Sequence, residues 1–355
     1  MKEETDKKLL STISKLINLI IFLLALLIGL SILLYHYMPA YVPTKPIVIE
    51  TEVSSSSTTL AKTEVDTIHY WQAPNLSSLE GHPKKELILN GKDIIEHTAD
   101  YFGPNGKIFK ASTNGMNCQN CHLEAGTKIF GNNYSAVAAT YPKFRARSGS
   151  NENIYKRVND CFERSLNGKA LDTNSKEMQS IVAYIHWLGK DVPKGKTPEG
   201  AGLKGIVFLD RAANPDNGKN IYAQKCVSCH QTDGSGVMNG DKTAYTYPAL
   251  WGNNSYNNGA GLYRLSNFAK YIKYNMPQGA SYNQPQLSDE EAWDLAAFVN
   301  SQTRPQMNIK KDWPNISEKP FDHPFGPFAD GFSETQHKYG PFKPIKEKIA
   351  LLKKR

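Results

Sequence analysis

Two pentapeptides constrain this chain more than anything else in it: CQNCH at 118–122 and CVSCH at 226–230. C-x-x-C-H is the attachment motif of c-type haem. The chemistry requires that order. Two thiols about one helical turn apart each add across a vinyl group to form a thioether, and the adjacent imidazole coordinates iron from the proximal side. The motifs assign Cys118, Cys121 and His122 to one covalently bound haem c and Cys226, Cys229 and His230 to a second. The haem also supplies most of the core, without which a domain of roughly 100 residues with few long apolar runs would be marginal.

An internal repeat surrounds the motifs. NGK occurs at 90–92 and at 217–219, each read as opening a helix ahead of a haem motif. A polar, Gly-rich stretch follows each motif, and then an amphipathic helix: SKEMQSIVAYIHWLG from Ser175 and SDEEAWDLAAFVNSQ from Ser288. The second opens with a capping box, Ser288 as N-cap and Glu291 at N3. Tyr184 and Phe298 fall at matching places in IVAYI and LAAFV. Each half therefore reads as a small helical haem domain of the mitochondrial-cytochrome type. The repeat is uneven, with 28 positions from NGK to the motif in the first half against 9 in the second, and residues 94–115 fill the difference.

Ahead of the repeat, Lys2, Lys7, Lys8 and Lys15 precede LINLIIFLLALLIGLSILLY at 16–35, which is bilayer-spanning length. No small-x-small cleavage pattern follows, which favours an uncleaved anchor over a removed signal peptide. The lysines place the N-terminus in the cytoplasm and the rest outside. In an exported chain, paired C-x-x-C-H motifs leave little room for zinc or disulfide readings. The fold class is thus all-α: two tandem class I-type cytochrome c domains with an N-terminal transmembrane anchor and an irregular C-terminal strap. The boundaries read as 1–38 tip and anchor, 39–80 flexible linker with SSSSTT at 54–59, 81–195 haem domain 1, 196–302 haem domain 2, and 303–355 strap and basic tail. The last thirteen residues, KPIKEKIALLKKR, read as a short solvated basic helix. The net charge of +8 is spread over lysines without dense arginine blocks, which argues against a nucleic-acid partner.

The repeat also locates the distal iron ligands. Met276, in KYNMPQG, lies 22 residues before Phe298, and a Met before Pro in this loop is the common thioether ligand. Met238, only eight residues past His230, is too close to reach the other face. Counting back 22 or 23 residues from Tyr184 leads to Phe162 and Cys161, so the lone thiol stands where the first ligand belongs. Met178, at a core-facing spacing on the last helix, and His97 and His186 are the rivals; an inert thiol and an intermolecular disulfide are the plain alternatives for Cys161.

The surroundings of the thiol bear on its chemistry. Arg147, Lys156, Arg157 and Arg164 flank it, a setting that would lower a thiol's pKa. Arg164 and Lys156 also read as solvated helix charges, and Arg147 and Arg157 as haem-propionate partners. Trp251 and Tyr256 read as packing around the second haem. A thiolate ligand stabilises ferric iron and lowers the first haem's potential, whereas Met raises the second's and makes it an electron relay. Guanidinium forks match oxyanions, and thiol sulfur exchanges readily with other sulfur, so the substrate points to a small sulfur oxyanion.

The sequence resembles the dihaem thiosulfate dehydrogenases, some of which act as tetrathionate reductases. The pieces that carry this are YPKFRARSGS at 141–150, RVNDCFERSLNG around the thiol, YPALWGNNSYNNGAGLYRL at 247–265, NMPQG at 275–279, FVNSQTRP at 298–305 and FGPFADGFSETQHKYGPF at 325–342. The resemblance spans about residues 80–345. It implies that two thiosulfate dianions are joined to tetrathionate with release of two electrons, or the reverse, at a His/Cys-ligated haem. It makes Cys161 the distal ligand and sulfur-bonding residue, Arg147 and Arg157 the anion clamp, and Ser165 a polar contact. Some relatives carry, just before the methionine, a lysine that ligates the second haem in one redox state. Asn275 stands there in this chain, which favours constant His230/Met276 ligation, with Lys273 a remote alternative. The implied partners are thiosulfate, tetrathionate and a respiratory electron donor or acceptor, with the haem domains in the periplasm, tethered to the inner membrane. The competing function is a membrane-anchored dihaem carrier without substrate chemistry; a dihaem peroxidase would need an acid-base group that the sequence does not display.

Overall fold

The structure, a computed structural model, describes residues 2–37 and 68–353, with side chains from 13–31 and 68–353. The chain divides into two units, Met1–Val65 and Asp66–Arg355. The first contains α1, Lys2–Tyr37, whose segment Ile13–Ser31 is 19 residues long and apolar enough to cross a membrane by length and composition. Its described side chains, Leu16, Phe22 and Leu27 among them, are exposed. Of the linker read over 39–80, residues 39–67 lie outside the described residues. Residues 68–80 do not behave as a spacer: Leu79 is fully buried, Tyr70 packs edge-on against Phe130 and Tyr282, and Trp71 N–H donates to Glu199 O at 2.9 Å.

In the second unit, haem domain 1 runs through α2 Lys85–Glu96, α3 Thr98–Phe102, the short turns α4 Leu123–Gly126 and α5 Val137–Thr140, α6 Ile154–Arg164 and α7 Lys176–Leu188. Domain 2 contributes α8 Pro215–Lys225, α9 Val227–His230, α10 Leu265–Asn275 and α11 Asp289–Ser301. Two short antiparallel hairpins interrupt the all-α plan, β1 Lys143–Arg145 with β2 Ser150–Glu152, and β3 Val237–Met238 with β4 Tyr245–Tyr247. They are loop ladders of two or three residues, too short to show as a period-two pattern.

NGK does not open the helices, as its position suggested. Asn90 to Lys92 sit in the middle of α2, and α8 starts earlier, at Pro215 with Asn214 as its cap. The repeat marks where two helices cross. A Cβ on Gly91 would lie 2.0 Å from Ser180 O and 3.0 Å from the Tyr184 Cβ; one on Gly218 would lie 2.0 Å from Asp294 O and 2.8 Å from the Phe298 Cβ. Only glycine permits that approach, so the matched NGK and aromatic positions are two sides of one contact in each half. The crossing helices begin at real caps. Ser175 Oγ accepts from Met178 N–H at 3.2 Å, and Ser288 and Glu291 form the full reciprocal box.

The insertion 94–115 seats the neighbouring elements. Phe102, fully buried, meets Phe162 of α6 edge to face at 5.4 Å, and Asn114 Nδ2 donates to Ser165 O and Ser255 O, both at 3.2 Å. The tail is a strap, though a more structured one than its composition announces. It contains α12 Glu334–Tyr339 and α13 Lys343–Leu352. Asp312 reaches domain 1 at Arg164, and buried Asp322 accepts from Arg264 Nε at 2.8 Å and Ser266 N–H at 3.0 Å in domain 2. The terminal helix is not simply solvated. Ile345 is fully buried in the domain 2 core and Lys346 Nζ sits 4.0 Å from the Phe208 ring centroid, because a basic helix can bury one apolar side chain while its lysine stems cover the rest.

Candidate active site

The first motif lies after α3, where Cys118 and Cys121 bracket a single 3₁₀ turn, Cys118–Asn120. His122 Nδ1 donates to Asn132 O at 2.6 Å, so Nε2 is the free nitrogen. The ring stacks on Tyr134 at 4.5 Å, and burial pulls its pKa down to about 4, which keeps the imidazole neutral and able to coordinate. Burial likewise pushes the Cys118 and Cys121 thiols up to about 12. These are sulfurs in an apolar setting that a neutral thioether suits and a thiolate does not. The cavity before them is walled by Ile95, Val158, Ile181 and Ile185, and Arg157, Cys161 and Ser165 supply its polar side. An apolar wall, a free imidazole nitrogen and two neutral sulfurs are what a covalently held haem requires.

Cys161 sits within α6 rather than on a loop. The i, i+4 spacing places Arg157 Nη1 3.2 Å from Cys161 Sγ, and the sulfur's proximity raises the Arg157 pKa, against the opposing effect of burial. Ser165 caps the helix, its N–H donating to Cys161 O at 2.9 Å. The other three cations do not touch the thiol. Arg164 is not a solvated helix charge: it is 8% exposed and forms a fork to Asp312, Nη1 to Oδ2 at 2.7 Å and Nη2 to Oδ1 at 2.9 Å. Lys156 pairs with Asp160. Arg147 is absent from the cavity wall; its Nη1 donates to Gly259 O at 3.4 Å and its guanidinium lies over Trp313 at 5.7 Å. Burial, and then Arg164, bring the Arg147 pKa down to about 10. Of the two arginines expected to clamp an anion, Arg157 therefore lies against the sulfur and Arg147 beside the strap, apart from it. Of the rival ligands, Met178 is fully buried in the core and His97 and His186 are exposed, away from the cavity wall.

The second cavity is lined by Cys226, Cys229, His230 and Met276. His230 Nδ1 donates to Pro248 O at 2.9 Å, again freeing Nε2, and burial lowers its pKa. Met276 is the C-cap of α10. Asn275 before it is 3% exposed, and its Nδ2 donates to Tyr271 O at 3.1 Å and Phe130 O at 3.2 Å. Lys273 pairs with Asp289 and is not part of the cavity wall. Trp251 packs on Tyr222 and Phe298 outside the wall, whereas Tyr256 is in it, its hydroxyl donating to Asn300 Oδ1 at 2.8 Å. Cys121 lines both cavities, so the two haem sites are neighbours. The loop at 130–132 serves both: Asn132 O holds the first histidine and Phe130 O holds the residue before Met276. Asp312 was missed by sequence reasoning, and a lone aspartate in KKDW carries no pattern that would have found it.

Comparison with known proteins places these features in context. Residues 107–193 match the SoxA/TsdA cytochrome c domain family and residues 215–303 the Cytochrome c family. The chain is 43% identical over 245 residues to a thiosulfate dehydrogenase of Psychrobacter arcticus, covering 68% of this chain and 71% of that protein. It is 39% identical over 228 residues to a thiosulfate dehydrogenase of Allochromatium vinosum, covering 62% and 79%. Among solved structures, the thiosulfate dehydrogenase TsdBA of Marichromatium purpuratum, in its as-isolated form, superposes with a TM-score of 0.61 at 27% identity; the match covers 67% of this chain and 50% of that one, so this chain spans half its length.

Proposed function

The chain belongs to the dihaem c-type cytochrome family of thiosulfate dehydrogenases, and from that premise we propose that it joins two thiosulfate dianions into tetrathionate at Cys161, releasing two electrons, and that it also runs the reverse. It carries two covalently bound haem c groups, at 118–122 and 226–230. In this reading His122 and Cys161 ligate the first iron, and His230 and Met276 the second. Bound haem supplies a one-electron acceptor at each site, lower in potential with thiolate than with thioether ligation.

The protein's own residues do the rest. Cys161 Sγ faces the same cavity as the first motif: bonding to the outer sulfur of one intact thiosulfate would release two electrons, for which the two bound haems would be the acceptors, and attack on that sulfur by a second thiosulfate would break the bond to Cys161, giving tetrathionate and returning the Cys161 thiolate. Arg157, 3.2 Å from that sulfur, offsets the charge of an incoming dianion and orients its oxygens with fork geometry. Ser165, on the cavity wall, offers a hydroxyl to those oxygens. Arg147, paired with the strap, shapes the field from behind rather than touching the sulfur. Cys121 lines both cavities, so haems held there would be close enough to pass electrons from the first site to the second and on to a respiratory partner. The apolar segment Ile13–Ser31 tethers the haem domains to the inner membrane on its periplasmic side.

The observation that carries this reading is the Arg157–Cys161 contact inside the first haem cavity. Assaying the purified full-length protein for thiosulfate oxidation with an artificial acceptor, and for tetrathionate reduction with an artificial donor, tests it. Turnover in both directions, lost in Cys161→Gly with both haems attached, is the expected result. Reducible haems without turnover in either direction would leave an electron carrier.

A further inference from the structure

Phe130 (φ +54°) and Asn132 (φ +60°) both lie in the left-handed region of backbone space, within one loop of domain 1. Asparagine enters that region readily, whereas a phenylalanine there is an outlier that its surroundings must hold in place. They do so from two sides. Phe130 N–H donates to Gly200 O at 2.8 Å and Asn132 N–H to Gly202 O at 2.9 Å, so the chain joining the two domains runs along the loop. The Phe130 ring meets those of Tyr70 and Tyr282 edge-on at 5.8 and 5.3 Å, and Lys204 Nζ sits 5.7 Å from its centroid.

The clamped loop sends two carbonyls to two different sites. Asn132 O accepts the His122 Nδ1 proton at 2.6 Å, and Phe130 O accepts from Asn275 Nδ2 at 3.2 Å. The Asn275 amide admits no flip, because its other proton goes to Tyr271 O, which also only accepts. One turn earlier on α10, Tyr271 Oη donates at 2.7 Å to Asn120 O, between the cysteines of the first motif. The turn that presents Met276 is therefore fastened to domain 1 twice, at the motif and at the loop that holds its histidine. Phe130 itself lines neither cavity, while Asn132 lines the first and Asn275 the second.

We propose that the loop 130–132 couples the two haem sites, with Phe130 and Asn275 as positioning residues: a displacement of the loop changes the hold on His122 and the placement of Met276 together. The inference rests on haem at both motifs and on Met276 as the second haem's ligand, and stands apart from the identity of the substrate. The signs follow from ligand chemistry. A carbonyl that accepts the Nδ1 proton makes the imidazole more basic and favours ferric iron, so loosening that bond raises the first haem's potential. A well-placed thioether raises the potential of the haem it binds, so loosening Met276 lowers the second. One change at a residue in neither cavity thus narrows the gap between the two potentials from both sides.

The test uses the full-length holoprotein with Phe130→Leu, Asn275→Leu and the double variant, and with Phe130→Tyr, which keeps the ring. Haem content and thermal unfolding establish that each is folded and loaded. Potentiometric titration follows the two haems separately, and the thioether-to-iron charge-transfer band reports on Met276. Phe130→Leu is expected to raise the first midpoint potential, lower the second and weaken the band, and Phe130→Tyr to leave all three near the parent. Asn275→Leu is expected to lower the second potential alone, and the double variant to take it no lower than Asn275→Leu does. If Phe130→Leu does not fold, Tyr70→Leu, at the edge of the clamp, carries the comparison with smaller shifts of the same signs. A second potential unmoved in Phe130→Leu, or falls that add in the double variant, would overturn the coupling and leave Met276 ligation standing. A parent without the band would overturn the reading of Met276 as a ligand and this proposal with it.

Discussion

The two haem domains share a scaffold and differ on one side of it. In each, a glycine lets the first helix lie against the backbone of the last, Gly91 on Ser180 and Gly218 on Asp294. In each, the motif histidine gives its Nδ1 proton to a loop carbonyl, Asn132 O or Pro248 O. The rest of the cavity wall is where they part. Domain 1 presents a charged helix, α6, with Arg157 against Cys161, while domain 2 presents Met276 at the end of α10, behind a buried Asn275. Haem attachment is thus common to both halves, and on the proposed function the reactivity belongs to the element that only the first cavity has.

The most severe way to break that contrast is to make the first site resemble the second. Cys161→Met is expected to keep both haems, raise the first haem's potential and lose thiosulfate turnover altogether; steady-state assay and potentiometry together check it. Retained turnover would show that the thiol is not what separates the domains. Next in size is the strap's hold on domain 1. Asp312→Ala takes the two-bond fork from the buried Arg164 guanidinium and leaves it only Asp160, whose Oδ1 is 3.8 Å from Nε; breaking such a pair is expected to cost about 3 kcal/mol, to be measured by denaturant unfolding.

A third effect follows from His323, 8% exposed in the strap, whose pKa is lowered from 6.5 to about 4, by burial first and then by Lys319, Arg147 and Arg264. Above about pH 6.5 neither the folded nor the unfolded state holds the proton, and the stabilisation is complete. As pH falls from there toward 4 the unfolded chain takes up the proton first, so stability is lost across that window, by on the order of 3 kcal/mol in all. The difference in unfolding free energy between the parent and His323→Phe, followed from pH 7 to 4, isolates this contribution; parallel curves would refute it. The smallest effects are the matched caps. Ser288→Ala and Ser175→Ala should each cost about 1 kcal/mol, with Ser288→Ala the larger because it also unmakes half of a capping box.

What was legible in the sequence was what depends on neighbours along the chain. The haem motifs, the caps at Ser175 and Ser288, and the i, i+4 relation of Arg157 to Cys161 are local, and the repeat pointed to Cys161 and Met276, which line the first and second cavities. What was illegible depends on contacts between distant residues. Arg164 and Arg157 look alike on one helix, yet one faces the thiol and the other an aspartate 148 positions away. NGK looked like a helix start because its glycine, unfavourable within a helix, is there for a neighbour that only the fold supplies. Ile345 disappears into a core from a segment whose lysines advertise solvent.

One further consequence follows from the strap. Its Asp312 grips the thiol-bearing helix and its Asp322, ten residues on, grips the start of the helix that ends at Met276. Electron tunnelling weakens exponentially with separation, so breathing between the domains would modulate the current passing through the molecule. On the proposed function, a segment anchored to both helices would act as a caliper, holding one gap between donor and acceptor against thermal motion.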